Sequence, residues 1–124
     1  MIIKESAENY LEAILKLHVQ KGSVRSIDIA EELNISKPSV SVAMKNFREN
    51  GYIEVGYNGY ITLTEKGKAI ADKTYERHRF IKEFLIKIGV SEETAELDAC
   101  KIEHHMSDET YQCLEKLNRQ MESF

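Results

Sequence analysis

The spacing of apolar residues changes once in the first half of the chain, and this change constrains the fold most. Up to residue 50, apolar residues recur every three or four positions, which is typical of amphipathic helices. Two short runs of β-branched and aromatic residues follow, at 52–55 and 60–63, and the tetrapeptide 56–59, Gly-Tyr-Asn-Gly, separates them. This pattern predicts a β-hairpin with a four-residue loop.

The helical part before the hairpin is predicted to contain helices at 6–20, 26–33 and 37–50. Ser26 and Ser36 are predicted N-caps, and Pro38 suits the first turn of a helix, where its missing N–H costs little. The second and third helices are separated only by the short turn 34–36. Two short helices joined by a tight turn and followed by a hairpin describe a winged helix-turn-helix.

In that architecture the second helix of the pair enters the major groove, and the hairpin tip lies beside the DNA backbone. The segment 33–48 carries Lys37, Lys45 and Arg48 and no acidic residue, although the whole chain has a net charge of −4. A local basic patch of this kind favours phosphate contact. The predicted DNA-contacting residues are Ser36, Lys37, Pro38, Ser39, Ser41, Lys45, Tyr57 and Asn58.

Two points stay open at this stage. Val42 is on the outer part of the same helix, and it either contacts a thymine methyl group or belongs to the core. The whole helix–helix–hairpin unit also has an alternative interpretation, in which it supports only protein contacts.

The second half of the chain is predicted to be helical. Thr64 is a predicted cap for a long helix that reaches residue 88, a further helix runs over 91–105, and a last one runs from 107 to the end. The fold class is therefore mainly α with a small β-hairpin.

One cluster in this half suggests metal binding. Cys100, Glu103 and His104 are at positions i, i+3 and i+4, so a helix would present a thiolate, a carboxylate and an imidazole on one face. Such a mixed donor set suits a divalent transition metal. The alternative is ordinary: a small core cysteine beside solvated polar groups.

Other donors lie on other predicted helices. His78 is on the long helix, and Asn9 and Glu12 are three residues apart on the first helix, so their side chains share a face. A site fed by three helices would connect the DNA-reading part of the chain to the rest.

The composition indicates an intracellular protein. No run of about 18 apolar residues is present, so no membrane span is expected. The N-terminus lacks the layout of a secretory signal. Cys100 and Cys113 would be about 19 Å apart on one straight helix, too far for a disulfide bond, although a break in the helix between them would reopen that possibility. We expect a cytoplasmic protein.

The chain resembles the diphtheria toxin repressor family of metal-dependent transcriptional repressors. The resemblance covers nearly the whole chain and is carried by the segments 8–12, 28–33, 38–41, 63–67, 77–78 and 102–109. It implies a winged helix-turn-helix DNA-binding domain over 1–70 and a helical dimerisation and metal-binding domain over 71–124. It also implies a homodimer on double-stranded operator DNA, with Fe(II) or Mn(II) as the corepressor, controlling metal-homeostasis genes.

By position, the implied metal ligands are Asn9, Glu12, His78, Cys100, Glu103 and His104. Cys100 is the residue of the iron-responsive branch of the family, whereas Glu12 and His78 follow the manganese-responsive branch. Asn9 matches neither branch, and whether one or two ions bind stays open. Longer members end in an SH3-like domain, and we expect this chain to be the short form without it.

Two other functions compete with a metal-activated repressor. The first is a winged-helix regulator that responds to redox state through Cys100, or to another ligand. The second is a metal-dependent hydrolase, which the sequence disfavours because it shows no separate general base, oxyanion hole or substrate-pocket motif. We therefore expect a regulator and not an enzyme.

Overall fold

The structure is a computed structural model that describes residues 5–122, with side chains described from Ala7 onward. It contains helices and one two-stranded antiparallel sheet, in agreement with the predicted fold class. The chain divides into two compact units, Met1–Lys73 and Thr74–Phe124. No helix within 5–122 has both the length and the apolar character needed to cross a membrane.

The first unit contains three helices, the hairpin and the start of a fourth helix. Its elements are α1 (Glu5–Lys21), α2 (Ser26–Leu33), α3 (Lys37–Glu49), β1 (Ile53–Val55), β2 (Ile61–Leu63) and the beginning of α4 (Glu65–Lys87). Each element contributes an apolar stripe to one core, because its buried residues follow the period of its own structure. The largest fully buried side chains are Leu11, Ile14, Val24, Ile29, Val40, Ile53 and Ile61.

The turn between α2 and α3 forms largely as predicted. Asn34 takes the left-handed conformation that ends α2, with a φ of 54°. The hydroxyl oxygen of Ser36 accepts a hydrogen bond of 3.3 Å from the backbone N–H of Ser39 and so caps α3. The predicted cap of α2 was wrong by one residue: Ser26 is already helical, and the Asp28 carboxylate accepts from the Arg25 N–H at 2.9 Å.

The hairpin is closed at its base by Thr64. Its strands pair with Ile53 opposite Leu63. The Thr64 hydroxyl donates to the carbonyl oxygen of Gly51 at 2.7 Å and accepts from the N–H of Gly67 at 3.2 Å, so it caps α4 as predicted. A Cβ atom at Gly67 would overlap the Tyr52 carbonyl oxygen, which explains why this helical position is a glycine.

The second unit contains the rest of α4, together with α5 (Glu92–Ile102) and α6 (Asp108–Glu122). Ser91 caps α5, since its hydroxyl accepts from the N–H of Thr94. The prediction that this helix continues to residue 105 was wrong. It ends at Ile102, whose carbonyl oxygen accepts from the N–H groups of His105 and Met106, so 103–105 form a turn.

Candidate metal centre and nucleic-acid interface

His78 lies at the centre of a cluster of metal-binding residue types within the second unit. Its ring is buried, and its Nδ1 is 2.9 Å from a carboxylate oxygen of Glu103 and 3.8 Å from the sulfur of Cys100. Its Nε2 is 3.0 and 3.1 Å from the two carboxylate oxygens of Glu96. We call these four residues, His78, Glu96, Cys100 and Glu103, the histidine cluster.

Three elements build the histidine cluster. His78 comes from α4, Glu96 and Cys100 come from adjacent turns of α5, and Glu103 comes from the turn that follows α5. One donor atom from each of His78, Glu96 and Cys100 lies within 4.8 Å of the other two. An imidazole, a thiol and carboxylates at these distances form a donor set that suits a divalent transition metal.

The structure brings together three residues that the sequence predicted as ligands, His78, Cys100 and Glu103. Glu96 was not predicted. Its signal is present in the sequence, because it precedes Cys100 by four residues and a helix places such a pair on one face. An isolated glutamate on an exposed helix is too common for that spacing to be informative without His78 opposite it.

His104 lies next to the histidine cluster but does not belong to it. Its Nε2 is 3.2 Å from the second carboxylate oxygen of Glu103, and both side chains are almost inaccessible to solvent. His105 and His18 are exposed. His104 therefore contacts a cluster residue, and its role as a ligand stays a prediction.

The neighbours of His78 change the protonation of the cluster. Hydrogen bonding to Cys100 and then to Glu103 raises the pKa of His78 to about 10, and burial opposes this only in part. Burial would raise the pKa of Glu96, but hydrogen bonds from Lys82 and His78 outweigh it and lower that pKa. The cluster thus carries a cationic imidazole between carboxylates at neutral pH.

Arg77, the residue before His78, fixes the turn that carries Glu103. Its buried guanidinium donates to the carbonyl oxygen of Met106 at 2.6 Å and to that of Glu103 at 3.4 Å, and it pairs with the Asp108 carboxylate. The guanidinium also lies 4.9 Å from the centre of the Tyr111 ring. This role was not predictable from the sequence, because an arginine on a helix gives no sign that it will be buried.

Asn9 and Glu12 belong to the first unit, on α1. The Glu12 side chain is buried; one carboxylate oxygen is 3.1 Å from the Lys16 ammonium, and the other is buried without a hydrogen-bond partner among residues 5–122. Leaving a carboxylate oxygen in this state is costly. Glu12 is therefore suited to contact a cation, and its role as a ligand, like that of Asn9, stays a prediction.

The predicted DNA-contacting residues are all exposed at the surface of the first unit. The side of α3 away from the core exposes Lys37, Pro38, Ser39, Ser41 and Lys45. Val42 is 63% exposed, so the alternative that placed it in the core was wrong.

Two of these residues also shape the surface. The Ser36 hydroxyl donates to the Ser39 hydroxyl oxygen at 2.8 Å and also accepts the hydrogen bond that caps α3. The hydroxyl proton of Ser39 is not used in either bond, so Ser39 can donate it to DNA. At the hairpin tip, the Asn58 side-chain oxygen accepts from the Tyr60 N–H at 3.2 Å, and Tyr57 is fully exposed.

Comparison with known families matches almost the whole chain. Residues 3–61 match the N-terminal DNA-binding domain of the iron dependent repressors. Residues 64–123 match the metal-binding and dimerisation domain of the same repressors.

Similar proteins include named regulators. The chain is 36% identical over 108 residues to the transcriptional regulator MntR of Salmonella typhimurium, which covers 86% of this chain and 68% of that protein. It is 40% identical over 126 residues to an uncharacterised HTH-type transcriptional regulator of Methanocaldococcus jannaschii, which covers 98% of this chain and 97% of that one.

Solved structures show the same fold. The manganese regulator SloR matches with a TM-score of 0.79 and 27% identity over 96% of this chain, and IdeR of T. acidophilum matches with a TM-score of 0.80 and 28% identity over 95%. The chain spans 55% of the length of each of these two structures.

Proposed function

Because the chain belongs to the iron-dependent repressor family, which includes the MntR regulators, we propose that it is a metal-dependent transcriptional repressor. The family consists of transcriptional regulators, which are not enzymes. In this proposal the chain acts in the cytoplasm as a homodimer, binds operator DNA when loaded with Fe(II) or Mn(II), and controls genes of metal homeostasis. Residues 1–70 would read the DNA, and 71–124 would bind metal and dimerise.

The convergence of His78, Cys100 and Glu103 carries this proposal. They offer an imidazole nitrogen, a thiolate and a carboxylate oxygen, and two of these donors already lie within 3.8 Å of His78 Nδ1. A buried carboxylate beside a buried histidine is expensive in a purely structural role, because both charged forms lose hydration. A divalent cation bound here would take the place of a proton on His78 and supply the positive charge that this cationic ring provides in its absence.

The donor set also bears on the choice of metal. A thiolate ligand favours Fe(II) over Mn(II), whereas carboxylate and amide oxygens suit both ions. Cys100 therefore leads us to favour Fe(II), with Mn(II) close behind. Because affinities follow a general order across the divalent metals, the supply in the cell decides which ion is bound.

We include Asn9, Glu12 and His104 in the proposed ligand set. The buried, unpaired oxygen of Glu12 supports the inclusion of Glu12. The contact of His104 with Glu103 supports the inclusion of His104. Asn9 shares a face of α1 with Glu12 and would add a neutral oxygen donor. Ligands from α1 would let the state of the metal site influence the DNA-reading unit.

DNA would be read by α3 and the hairpin tip. The first turn of α3 presents Lys37 and Ser39, and the next two turns present Ser41 and then Lys45, where hydroxyl and ammonium groups can donate to phosphates and base edges. The tip, with Tyr57 and Asn58, would lie along the phosphate backbone. In a dimer the two α3 helices would meet successive turns of a palindromic operator.

Dimerisation would use the second unit. Its surface exposes Leu97, which is 66% accessible, together with Ile88 and Leu117. These apolar side chains would lose their contact with water if they were covered in an assembly. The match of this region to a dimerisation domain supports the same view.

The redox alternative is less well supported. It assigns the signal to the Cys100 thiol alone, and it leaves the contacts of Glu103 with His78 and His104 without a function. If redox were the signal, replacing Glu103 and His104 by alanine would leave DNA binding unchanged, while Cys100→Ser would abolish the response.

A gel-shift titration tests the metal-dependent function. We expect the protein to bind its promoter DNA with added Fe(II) or Mn(II) and to release it in the presence of chelator. Cys100→Ser should lose most of the metal response, whereas the matched Cys113→Ser, an exposed cysteine on α6, should retain it. Equal binding with and without chelator would eliminate the metal switch.

A further inference from the structure

Lys82, Glu96 and His78 form a row of three interacting polar groups at the edge of the histidine cluster. The Lys82 ammonium is 3.1 Å from one carboxylate oxygen of Glu96, and this same oxygen is 3.0 Å from Nε2 of His78. The other ring nitrogen, Nδ1, faces Glu103 and Cys100. His78 therefore has a different set of partners on each side of its ring.

Each nitrogen of an imidazole can bind either a proton or a metal ion, but not both at once. A ring nitrogen that donates its proton to a carboxylate leaves only the other nitrogen as a ligand. A carboxylate that accepts from the far nitrogen of a metal-binding histidine fixes the orientation of the ring and strengthens the ligand.

We infer that Glu96 is a positioning residue, held by Lys82, that fixes His78 so that Nδ1 alone faces the metal, between Cys100 and Glu103. This inference rests on the proposed metal-binding function. It assigns Glu96 a role different from that of a ligand, although its distance from His78 and Cys100 would also allow direct coordination.

Lys82 decides between these two roles. A cation bound directly to Glu96 would lie within a few ångströms of the Lys82 ammonium, and like charges at that distance repel strongly when they are partly shielded from water. The side chains of Lys82 and Glu96 are 29% and 42% exposed, so the pair is only partly screened. With Lys82 paired to it, Glu96 is therefore better suited to hold the histidine than to bind a metal.

Nitrogen-15 NMR of the full chain, with Zn(II) alone as the probe, tests the assignment. We expect Nδ1 of His78 to take the resonance of a metal-bound nitrogen while Nε2 keeps its proton. A metal-bound resonance at Nε2, with Nδ1 protonated, would overturn the inference.

Titration with Co(II) adds a second readout. Glu96→Ala should weaken Co(II) binding about 10–100-fold, as loss of an outer-sphere carboxylate does. The thiolate-to-cobalt absorption band should keep its position, because the ligand set does not change. Glu96→Gln, which can still accept from Nε2, should recover part of the affinity, and Glu93→Ala, an exposed glutamate on α5, should have no effect. A shifted ligand-field spectrum in Glu96→Gln would show instead that Glu96 is a ligand.

Lys82→Met tests the part assigned to the ammonium. Without it, Glu96 becomes available to cations, and we expect additional Co(II) to bind to Lys82→Met beyond the amount bound by the unmodified protein. Lys87→Met is the matched control, because Lys87 also lies on α4 and pairs with a carboxylate, that of Glu122. Identical stoichiometry in all three proteins would contradict this role for Lys82.

These results separate the inference from the proposed function. If no thiolate-to-cobalt band forms in the unmodified protein, Cys100 is not a ligand and the metal-dependent function fails. If the band forms but Nε2 binds the metal, the function stands and the role assigned to Glu96 is wrong.

Discussion

The guanidinium of Arg77 donates a 2.6 Å hydrogen bond to the carbonyl oxygen of Met106. This bond ties α4 to the turn that follows α5. Arg77 immediately precedes His78 in the sequence, and Met106 ends the segment that carries Glu103 and His104. The same arginine therefore sets the distance between donors from two parts of the chain.

Replacing Arg77 by methionine should loosen this turn. The carbonyl oxygens of Met106 and Glu103 would lose a buried donor, and we expect the free energy of unfolding to fall by about 2–4 kcal/mol. Arg77→Lys should restore little of it, because an ammonium cannot reproduce the spacing of the guanidinium donors. Urea denaturation measures the change.

The exposed Arg79 provides the control for this experiment. It lies two residues further along α4, and its guanidinium is 5.9 Å from the centre of the Tyr75 ring. Arg79→Met should change the free energy of unfolding by less than about 0.5 kcal/mol. Similar losses in Arg77→Met and Arg79→Met would show that the turn does not depend on Arg77.

Gly67→Ala should destabilise the first unit. Helix propensity alone predicts a gain of about 1 kcal/mol for this change. The new Cβ atom would overlap the carbonyl oxygen of Tyr52, a backbone group that cannot move aside cheaply, and we expect a loss of about 1–3 kcal/mol instead. Thermal unfolding of Gly67→Ala shows whether the stability rises or falls. Ala69→Gly, at an exposed position of the same helix, is the comparison. A more stable Gly67→Ala protein would contradict the close approach.

Asp28 should make stability depend on pH. The hydrogen bond from the Arg25 N–H, followed by the one from Lys21, lowers the pKa of Asp28 below its ordinary value of 3.8. Because the folded-state pKa is the lower one, the stabilisation is complete above the unfolded-state pKa and disappears as the pH falls through the folded-state pKa.

The melting temperature of the unmodified protein should therefore exceed that of Asp28→Asn at pH 7. The asparagine keeps an oxygen for the Arg25 N–H but has no charge to pair with Lys21. The difference should shrink as the pH falls below about 4. A difference that stays constant down to pH 2.5 would rule out titration of Asp28 as its origin.

The salt dependence of operator binding should identify the phosphate contacts of α3. Lys37→Ala and Lys45→Ala should each weaken binding to all sequences, and each should reduce the slope of log K against log salt by about 1. Lys68→Ala, at an exposed lysine near the start of α4, is the control. Unchanged slopes in both α3 variants would remove these lysines from the interface.

Local chemistry made much of the fold predictable. The hydroxyls of Ser36 and Thr64 cap α3 and α4 with the predicted hydrogen bonds, and that of Ser91 caps α5 at the predicted start of this helix. Such signals depend on residues three positions apart, which a sequence shows directly. The error at α2 has the same local origin. The Asp28 carboxylate accepts from the Arg25 N–H, so the helix begins one residue after Arg25 and Ser26 lies inside it.

The candidate site was predictable only in part, because it depends on contacts between distant segments. Cys100 and Glu103 are close in sequence, and their residue types indicated a metal site. Glu96 and Arg77 acquire their roles from groups on another helix, His78 for the first and the carbonyl oxygen of Met106 for the second. No spacing rule links residues that far apart along the chain.

The bonds from Thr64 to Gly51 and Tyr52 anchor the hairpin where it leaves the core. The two strands are joined by the short connection 56–60, at which Tyr57 is fully exposed. Insertions or substitutions there would alter the reach of the wing while leaving the core intact. Changes at this tip therefore offer a way to alter the outer surface of the unit without disturbing the core that supports it.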